Sequence, residues 1–233
     1  KQQNFYASIV RPHINKNERV FVIISDALRY EIAVELAERL ASETIGICKV
    51  DTMLGVIPSV TKLGMAALLP HRELDIDEKG RVFVDGHDTS GTENRKRIIE
   101  SAVKDSLVIN YNDMLTMNKA ERRQIFKGKK LIYIYHTTID AKSDNAETEI
   151  YTFQAAEQAI DQLFDLIKII RDDLSGTNIY ITADHGFLYQ RDALEASNKL
   201  PNEIDDIFEV KHRYILSRKK QEVTGQLAID LSS

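Results

Sequence analysis

Three short stretches of the chain carry apolar or aromatic residues on both faces. They are RVFVIIS (Arg19 to Ser25), KLIYIYH (Lys130 to His136) and NIYITA (Asn178 to Ala183). A strand with one wet face alternates apolar and polar residues, whereas a strand covered on both sides does not. These stretches therefore predict central strands of a parallel sheet with helices on either side. TIGICKVDTM (Thr44 to Met53) and DSLVIN (Asp105 to Asn110) are weaker strand patterns.

Between the strands the apolar period lengthens to that of a helix. Ala27 to Glu43 puts Leu28, Ile32, Leu36 and Leu40 on one stripe. Ser59 to Leu69, directly after Pro58, predicts a second helix with Ser59 as its N-cap. Asn145 to Leu174 reads as one long amphipathic helix, with Ile150, Phe153, Ile160, Phe164 and Ile167 in its stripe and Ser175-Gly176 as its stop. A short helix should follow the DSLVIN strand. This alternation predicts a three-layer α/β/α sandwich with a mostly parallel central sheet. Residues 70–91 break the pattern: they are polar and turn-rich, with a single alternating piece, RVFVDG. They predict a small inserted cap. No linker divides the chain, so residues 1–233 read as one domain. The chain opens on Lys1 in mid-pattern, which points to a piece of a longer protein.

Composition changes this picture little. Hydrophobic residues are 43% and charged residues 29% of the chain, as in soluble globular proteins. The net charge of -5 argues against a broad nucleic-acid-binding face. The single cysteine, Cys48, rules out an internal disulfide or a cysteine-rich zinc site and reads as a small buried hydrophobe. No apolar run reaches the ~18 residues of a membrane span, and a cytoplasmic protein is expected.

The chemistry lies where the strands stop. Ligands of open α/β sheets sit beyond the carboxyl ends of the strands. Asp26 follows the first strong strand; His136, then Asp140 and Asp144, follow the second; Asp184 and His185 follow the third. Carboxylates with imidazole suit Zn²⁺, Mn²⁺ or a related divalent ion. Asp26 alone reads more readily as a cap of the next helix, and it is the combination with Asp184 and His185 that favours a ligand; Asp140 with Asp144 could be a solvated acidic turn. Gly186 would let the chain turn sharply after the Asp-His pair. Ser59 and Thr61 offer hydroxyls at a helix start, where capping and nucleophile are both open readings.

Taken together, DALRYE, IPSVTKLGMAALLPH, YHTTIDAKSDNAETE, TADHGFLY and VKHRY resemble the alkaline phosphatase superfamily, and within it the PglZ domain of BREX-type phage-defence systems. The resemblance covers nearly the whole chain. It implies two divalent ions, Zn²⁺ or Mn²⁺, with Mg²⁺ a further option. Asp26, Asp184, His185 and the Thr61 hydroxyl would hold one; Asp140, Asp144 and His212 would hold the other. Thr61 would be the nucleophile. Asp144 stands where many superfamily members carry histidine, which makes the second site harder and tilts it from Zn²⁺ towards Mn²⁺ or Mg²⁺. Without the resemblance, His212 reads as a strand residue. His136 reads as a supporting residue, His87 as a turn residue and His13 as a surface one, while His71, just past the helix that carries Thr61, could border the site. The implied activity is that of a phosphatase or phosphodiesterase on a phosphate ester, a nucleotide or nucleic acid among them, with other defence proteins as partners and no membrane. The alternative is a binding or scaffold module that keeps the fold without turnover.

Overall fold

The structure is a computed structural model that describes residues 1–43, 46–143, 151–187, 204–211, 214–223, 225 and 227–229. Asp144, Ile150 and His212 lie outside the described residues.

Four parallel strands make the central sheet. They are β1 (Val20–Ser25), β5 (Ser106–Asn110), β6 (Leu131–His136) and β7 (Asn178–Thr182), in the order β5-β6-β1-β7. β1 lies between β6 and β7, with Val20 level with Leu131 on one side and Asn178 on the other. Every residue of β1 and β6 is buried, as their double-sided apolar pattern predicts. The period of two then sorts their side chains into two cores. Phe21, Ile23, Ile132 and Ile134 face helices α2 (Tyr30–Glu43) and α8 (Thr152–Leu174). Val20, Val22, Ile24, Leu131, Tyr133 and Tyr135 face α3 (Thr61–Ala67) and α4 (Gly91–Ala102). Three layers result, an α/β fold with helices on both sides of a parallel sheet.

On the second face, short strands β2 (Leu74–Ile76), β3 (Val82–Val84) and β4 (His87–Asp88) form a three-stranded antiparallel sheet. This is where the turn-rich cap was expected. Val82 and Val84 of β3 anchor it to the core. Two short helices, α5 (Tyr111–Thr116) and α6 (Lys119–Ile125), follow β5 where one was expected. The helix α7 (Asp140–Ser143) follows β6, and β8 (Ile207–Val210) and β9 (Ile215–Ser217) form a hairpin; before β1 the chain runs through short helical turns at Gln2–Asn4 and Tyr6–Val10 into α1 (Arg11–Asn15). No helix among the described residues is long and apolar enough to cross a membrane.

Several expectations fail. The stretch from Thr44 to Met53 is not a strand: its described residues, 46–53, form no ladder and are exposed. Cys48 on that stretch is exposed rather than buried. The N-cap of α3 is Val60, with no side-chain cap, so Ser59 is not the cap. Phe153 belongs to α8 but points to solvent, 55% exposed, so the buried stripe runs through Ala156, Ile160, Leu163 and Phe164 instead. Helix α4 was not foreseen, because only Ile98 and Ile99 are buried in a run otherwise polar or charged.

Candidate metal and nucleophile site

The carboxyl ends of β1, β6 and β7 form one edge of the sheet, and the predicted acids meet there. Asp26 directly follows β1, and its backbone N–H donates to the His136 carbonyl at 2.7 Å, extending the β1–β6 pairing by one step. The chain then turns through Ala27, whose φ of 63° is left-handed backbone that a non-glycine residue adopts at a cost of about 1–3 kcal/mol. That turn aims the Ala27 N–H at Asp184 Oδ1, 3.3 Å away. Helix α2 begins only at Tyr30, so Asp26 is not its cap. Asp26 is 5% exposed and Asp184 only 2%.

His185 completes the cluster. Its Nδ1 donates to the Gly186 carbonyl at 2.8 Å, which leaves the lone pair on Nε2. Nε2 lies 2.8 Å from Thr61 Oγ1, and 3.4 Å from both Asp26 Oδ1 and Asp184 Oδ2. Asp140, at the start of α7, brings a carboxylate oxygen to the same place: ligand atoms of Asp26, Asp140 and His185 all lie within 4.8 Å of one another. Thr61 is the first residue of α3, so its hydroxyl is delivered from the helix layer onto the sheet edge.

The electrostatics of the cluster are those of a site built around positive charge. Asp26 Oδ1 and Asp184 Oδ2 are buried without a hydrogen-bond partner. Burial pushes the Asp26 carboxyl up to about 8, reinforced by the charges of Asp184 and Asp140. Burial also raises Asp184, against the pull of His185 and the N–H groups of His185 and Ala27. Orphaned buried acceptors are rare and call for an explanation. Two such oxygens beside an imidazole lone pair fit a divalent cation with oxygen and nitrogen ligands. Of the remaining expected ligands, Asp144 and His212 fall outside the described residues.

His136 takes no part in the cluster. Its Nε2 donates to Gln162 Oε1 at 2.8 Å and its Nδ1 accepts from the Ser25 hydroxyl at 2.9 Å. Both nitrogens are thus engaged, and burial holds its pKa below the usual value. His71 Nδ1 donates to the Leu69 carbonyl at 2.7 Å. His87 sits on β4, and His13 is bound between Glu18 and Tyr180.

Three supports could not be foreseen. Gln2 is buried and donates from Nε2 to the carbonyls of Asp184 at 2.8 Å and Ala183 at 3.1 Å, while its Oε1 accepts from Val56 N–H at 3.0 Å. Gly64 of α3 lies against the backbone of Asp184, where a Cβ would come within 2.6 Å of the carbonyl carbon. Lys62 reaches the Gly80 carbonyl at 2.9 Å and pairs with Glu209 of β8, so the residue after Thr61 ties the β2–β3 turn to the hairpin. Gly186, by contrast, has no left-handed φ; it is small because the stem of Arg29 packs 3.2 Å from where a Cβ would be.

A parallel α/β sheet flanked by helices, with two aspartates, an Asp-His pair and a helix-borne threonine at its carboxyl edge, has the build of an alkaline phosphatase-like domain. The family described as the BREX system PglZ alkaline phosphatase-like domain matches residues 5–232, and the chain belongs to that family. It is 44% identical over 226 residues to the alkaline phosphatase-like protein PglZ of Bacillus cereus (strain H3081.97), covering 97% of this chain and 26% of that protein. It is 40% identical over 225 residues to the alkaline phosphatase-like protein BrxZ of Escherichia coli O9:H4 (strain HS), covering 94% of this chain and 26% of that protein. The chain thus spans about a quarter of the length of these curated relatives.

Proposed function

We propose that the protein is a metal-dependent phosphohydrolase, a phosphatase or phosphodiesterase, with Thr61 as its nucleophile. The observation that carries this reading is the convergence of Thr61 Oγ1 on His185 Nε2, 2.8 Å away, beside Asp26, Asp184 and Asp140. Asp26, Asp184, His185 and Thr61 would hold one divalent ion, and Asp140, Asp144 and His212 a second. Bound there, such ions supply positive charge that lowers the hydroxyl pKa of Thr61 and offsets the charge of the phosphoryl group. Thr61 would give up its proton to solvent and bond through Oγ1 to phosphorus as the ester oxygen leaves and is protonated by water; a second water then cleaves that O–P bond, releasing the phosphate product and restoring the Thr61 hydroxyl. The position of Thr61 at the start of α3 leaves its hydroxyl free of any N-cap bond. His185, locked by its bond to Gly186, fixes the direction from which the hydroxyl is met.

The Asp144 carboxylate in place of imidazole favours Mn²⁺ or Mg²⁺ at the second position. In keeping with its family, the protein would act in phage defence in the cytoplasm beside other defence proteins, as one catalytic domain capped by residues 70–91.

The test is to measure bound divalent metal and hydrolysis of bis(p-nitrophenyl) phosphate and p-nitrophenyl phosphate. Thr61→Ala should retain metal and lose turnover by at least about a hundredfold, the scale expected for loss of a nucleophile. Asp26→Asn should lose metal. Turnover that survives Thr61→Ala would sink the mechanism. A protein that takes up no metal and cleaves neither ester with any divalent ion would be a scaffold instead.

A further inference from the structure

The acids at the sheet edge are not held alike. Asp26 directly follows β1, and the β1–β6 pairing carries its N–H onto the His136 carbonyl. Asp140 lies four residues beyond the end of β6, where no strand pairing reaches it. It opens α7, whose four residues make about one turn, too little for a helix to hold itself in place. Yet Asp140 brings a ligand atom within 4.8 Å of those of Asp26 and His185. Its place must therefore come from tertiary contacts of the connection Thr137-Thr138-Ile139. Ile139 supplies one, fully buried in the core that α2 and α8 share with the sheet. Apolar burial is non-directional, so this anchor sets how deep the connection sits and not how it is turned.

Gln162 of α8 supplies the directional contact. Its Oε1 accepts two bonds, from the Thr138 hydroxyl at 2.6 Å and from His136 Nε2 at 2.8 Å. The His136 ring is itself fixed. Its Nδ1 accepts from the Ser25 hydroxyl at 2.9 Å, and Tyr111 meets it edge-on with 5.0 Å between ring centroids. His136 is 1% exposed, and its backbone belongs to the β1–β6 pairing. One arm of the Gln162 bridge thus rests on the rigid tip of β6, beside Asp26, and the other holds the connection that delivers Asp140. Asp26 does not need the bridge, because the strand pairing and Ser25 keep His136 in place without it. The hydrolysis mechanism gives none of these side chains a task. Groups that orient a metal ligand from behind commonly weigh about ten- to a hundredfold on metal affinity.

We propose that Gln162 is a positioning residue of the metal site, which holds Thr138, and through it Asp140, in register with Asp26. The proposal rests on the reading of Asp140 as a metal ligand, and its test reads Mn²⁺ binding rather than turnover. Mn²⁺ affinity and stoichiometry are measured for the parent protein and for Gln162→Leu, Gln162→Glu, Thr138→Val and Asp140→Asn. Gln162→Leu removes the shared acceptor and should weaken Mn²⁺ about tenfold. Thr138→Val removes only the hydroxyl, at a half-buried position, and should weaken it in the same direction. Gln162→Glu keeps an acceptor oxygen at the same reach and should restore most of the affinity. The double variants separate positioning from general support of the fold. A residue that acts through Asp140 has nothing left to act on in Asp140→Asn, so adding Gln162→Leu there should change the remaining Mn²⁺ affinity by less than about twofold. Thermal melts in chelator establish that each variant is folded, and pairing Asp140→Asn with Thr138→Val repeats the test with a milder change. The proposal is overturned if Gln162→Leu and Thr138→Val bind Mn²⁺ as the parent does, or if either weakens binding equally with and without Asp140→Asn. A parent protein that takes up no Mn²⁺ overturns it together with the hydrolase reading. Coupling of Gln162 to Asp140 in a protein whose ester turnover survives Thr61→Ala would keep the positioning role and sink the nucleophile alone.

Discussion

Gly64→Ala separates the geometry of this site from ordinary helix chemistry, because the two predict opposite signs. Alanine in place of a helical glycine should stabilise by about 1 kcal/mol from propensity alone, and the backbone at Gly64 has no left-handed φ to forbid it. The tertiary contact says otherwise. A Cβ at this position would sit 2.6 Å from the carbonyl carbon of Asp184 and 3.0 Å from its Cα. Non-bonded carbons prefer about 3.5–4.0 Å, so α3 and the tip of β7 would have to part by about 1 Å. The Asp184 backbone cannot slide away cheaply, since Gln2 holds its carbonyl at 2.8 Å. Overpacking of this kind costs about 1–3 kcal/mol, which offsets the propensity gain and leaves a net loss of up to about 2 kcal/mol. At this chain length that is a fall in Tm of several degrees, about 2–4 °C per kcal/mol. The larger effect falls on chemistry. The same displacement breaks the 2.8 Å approach of Thr61 Oγ1 to His185 Nε2, and a misplacement of about 1 Å costs on the order of a hundredfold in rate. The assay is a thermal melt paired with Mn²⁺ affinity and turnover of bis(p-nitrophenyl) phosphate. A variant that melts higher and binds and turns over as the parent does would refute the close approach of α3 to Asp184.

The Asp26 carboxyl, raised by burial to about 8 from an unfolded value near 3.8, binds a proton in the folded state that the unfolded chain releases. Between those limits metal-free stability should therefore fall as pH rises, by about 1.4 kcal/mol per unit from this group. Denaturant unfolding in chelator at pH 5.5, 7 and 8.5 reads this, with Asp26→Asn flattening the slope and Mn²⁺ stabilising most at the highest pH; a chelated protein that grows more stable with pH would contradict it. Gln2→Ala strands the Val56 N–H and two carbonyls at the site, at a cost of about 1–3 kcal/mol, and urea unfolding should register the loss together with weaker metal binding. Glu209→Gln removes the charge that Lys62 and Tyr214 share. Since Lys62 is partly exposed the stability change should stay below about 1 kcal/mol, while hydrogen exchange in the β8–β9 hairpin rises.

The strands and the acids at their ends were legible for the same reason. β1 and β6 are buried on both faces, and a doubly buried strand advertises itself by composition alone; the edge rule for α/β sheets then directs attention to Asp26, Asp140, Asp184 and His185. The illegible parts share a different cause. Ala27 adopts a left-handed turn with no glycine to mark it, and Gly64 looks like a weak point in a helix until Asp184 is packed against it. Gln2 is one more polar residue near the start of the chain until its amide is seen at the site. Each depends on a neighbour more than a hundred residues away, or on strain no residue type signals. The stretch from Thr44 to Met53 misled because β-branched residues imitate a strand. Just beyond it, the Leu54 carbonyl accepts from the Gln2 N–H and the Val56 N–H donates to Gln2 Oε1, so residues 54–56 are tied to the backbone and side chain of Gln2, not to a ladder.

The Gln2 amide also sets the order in which the protein can become competent. Its bonds to Ala183 and Asp184 span separations of 181 and 182 residues, so the tip of β7 is secured only when distant parts of the chain meet. Asp26 leaves the ribosome long before Asp184 and spends that interval without the neighbour whose charge disfavours its ionised form. Bringing the two together is a contact of high sequence separation, and such contacts form late. During synthesis the sheet can gather around β1 and β6, which brings Asp26 to Asp140, while Asp184 is still missing. The part of the electrostatic penalty that Asp184 imposes is deferred until nearly all of the scaffold exists to bear it.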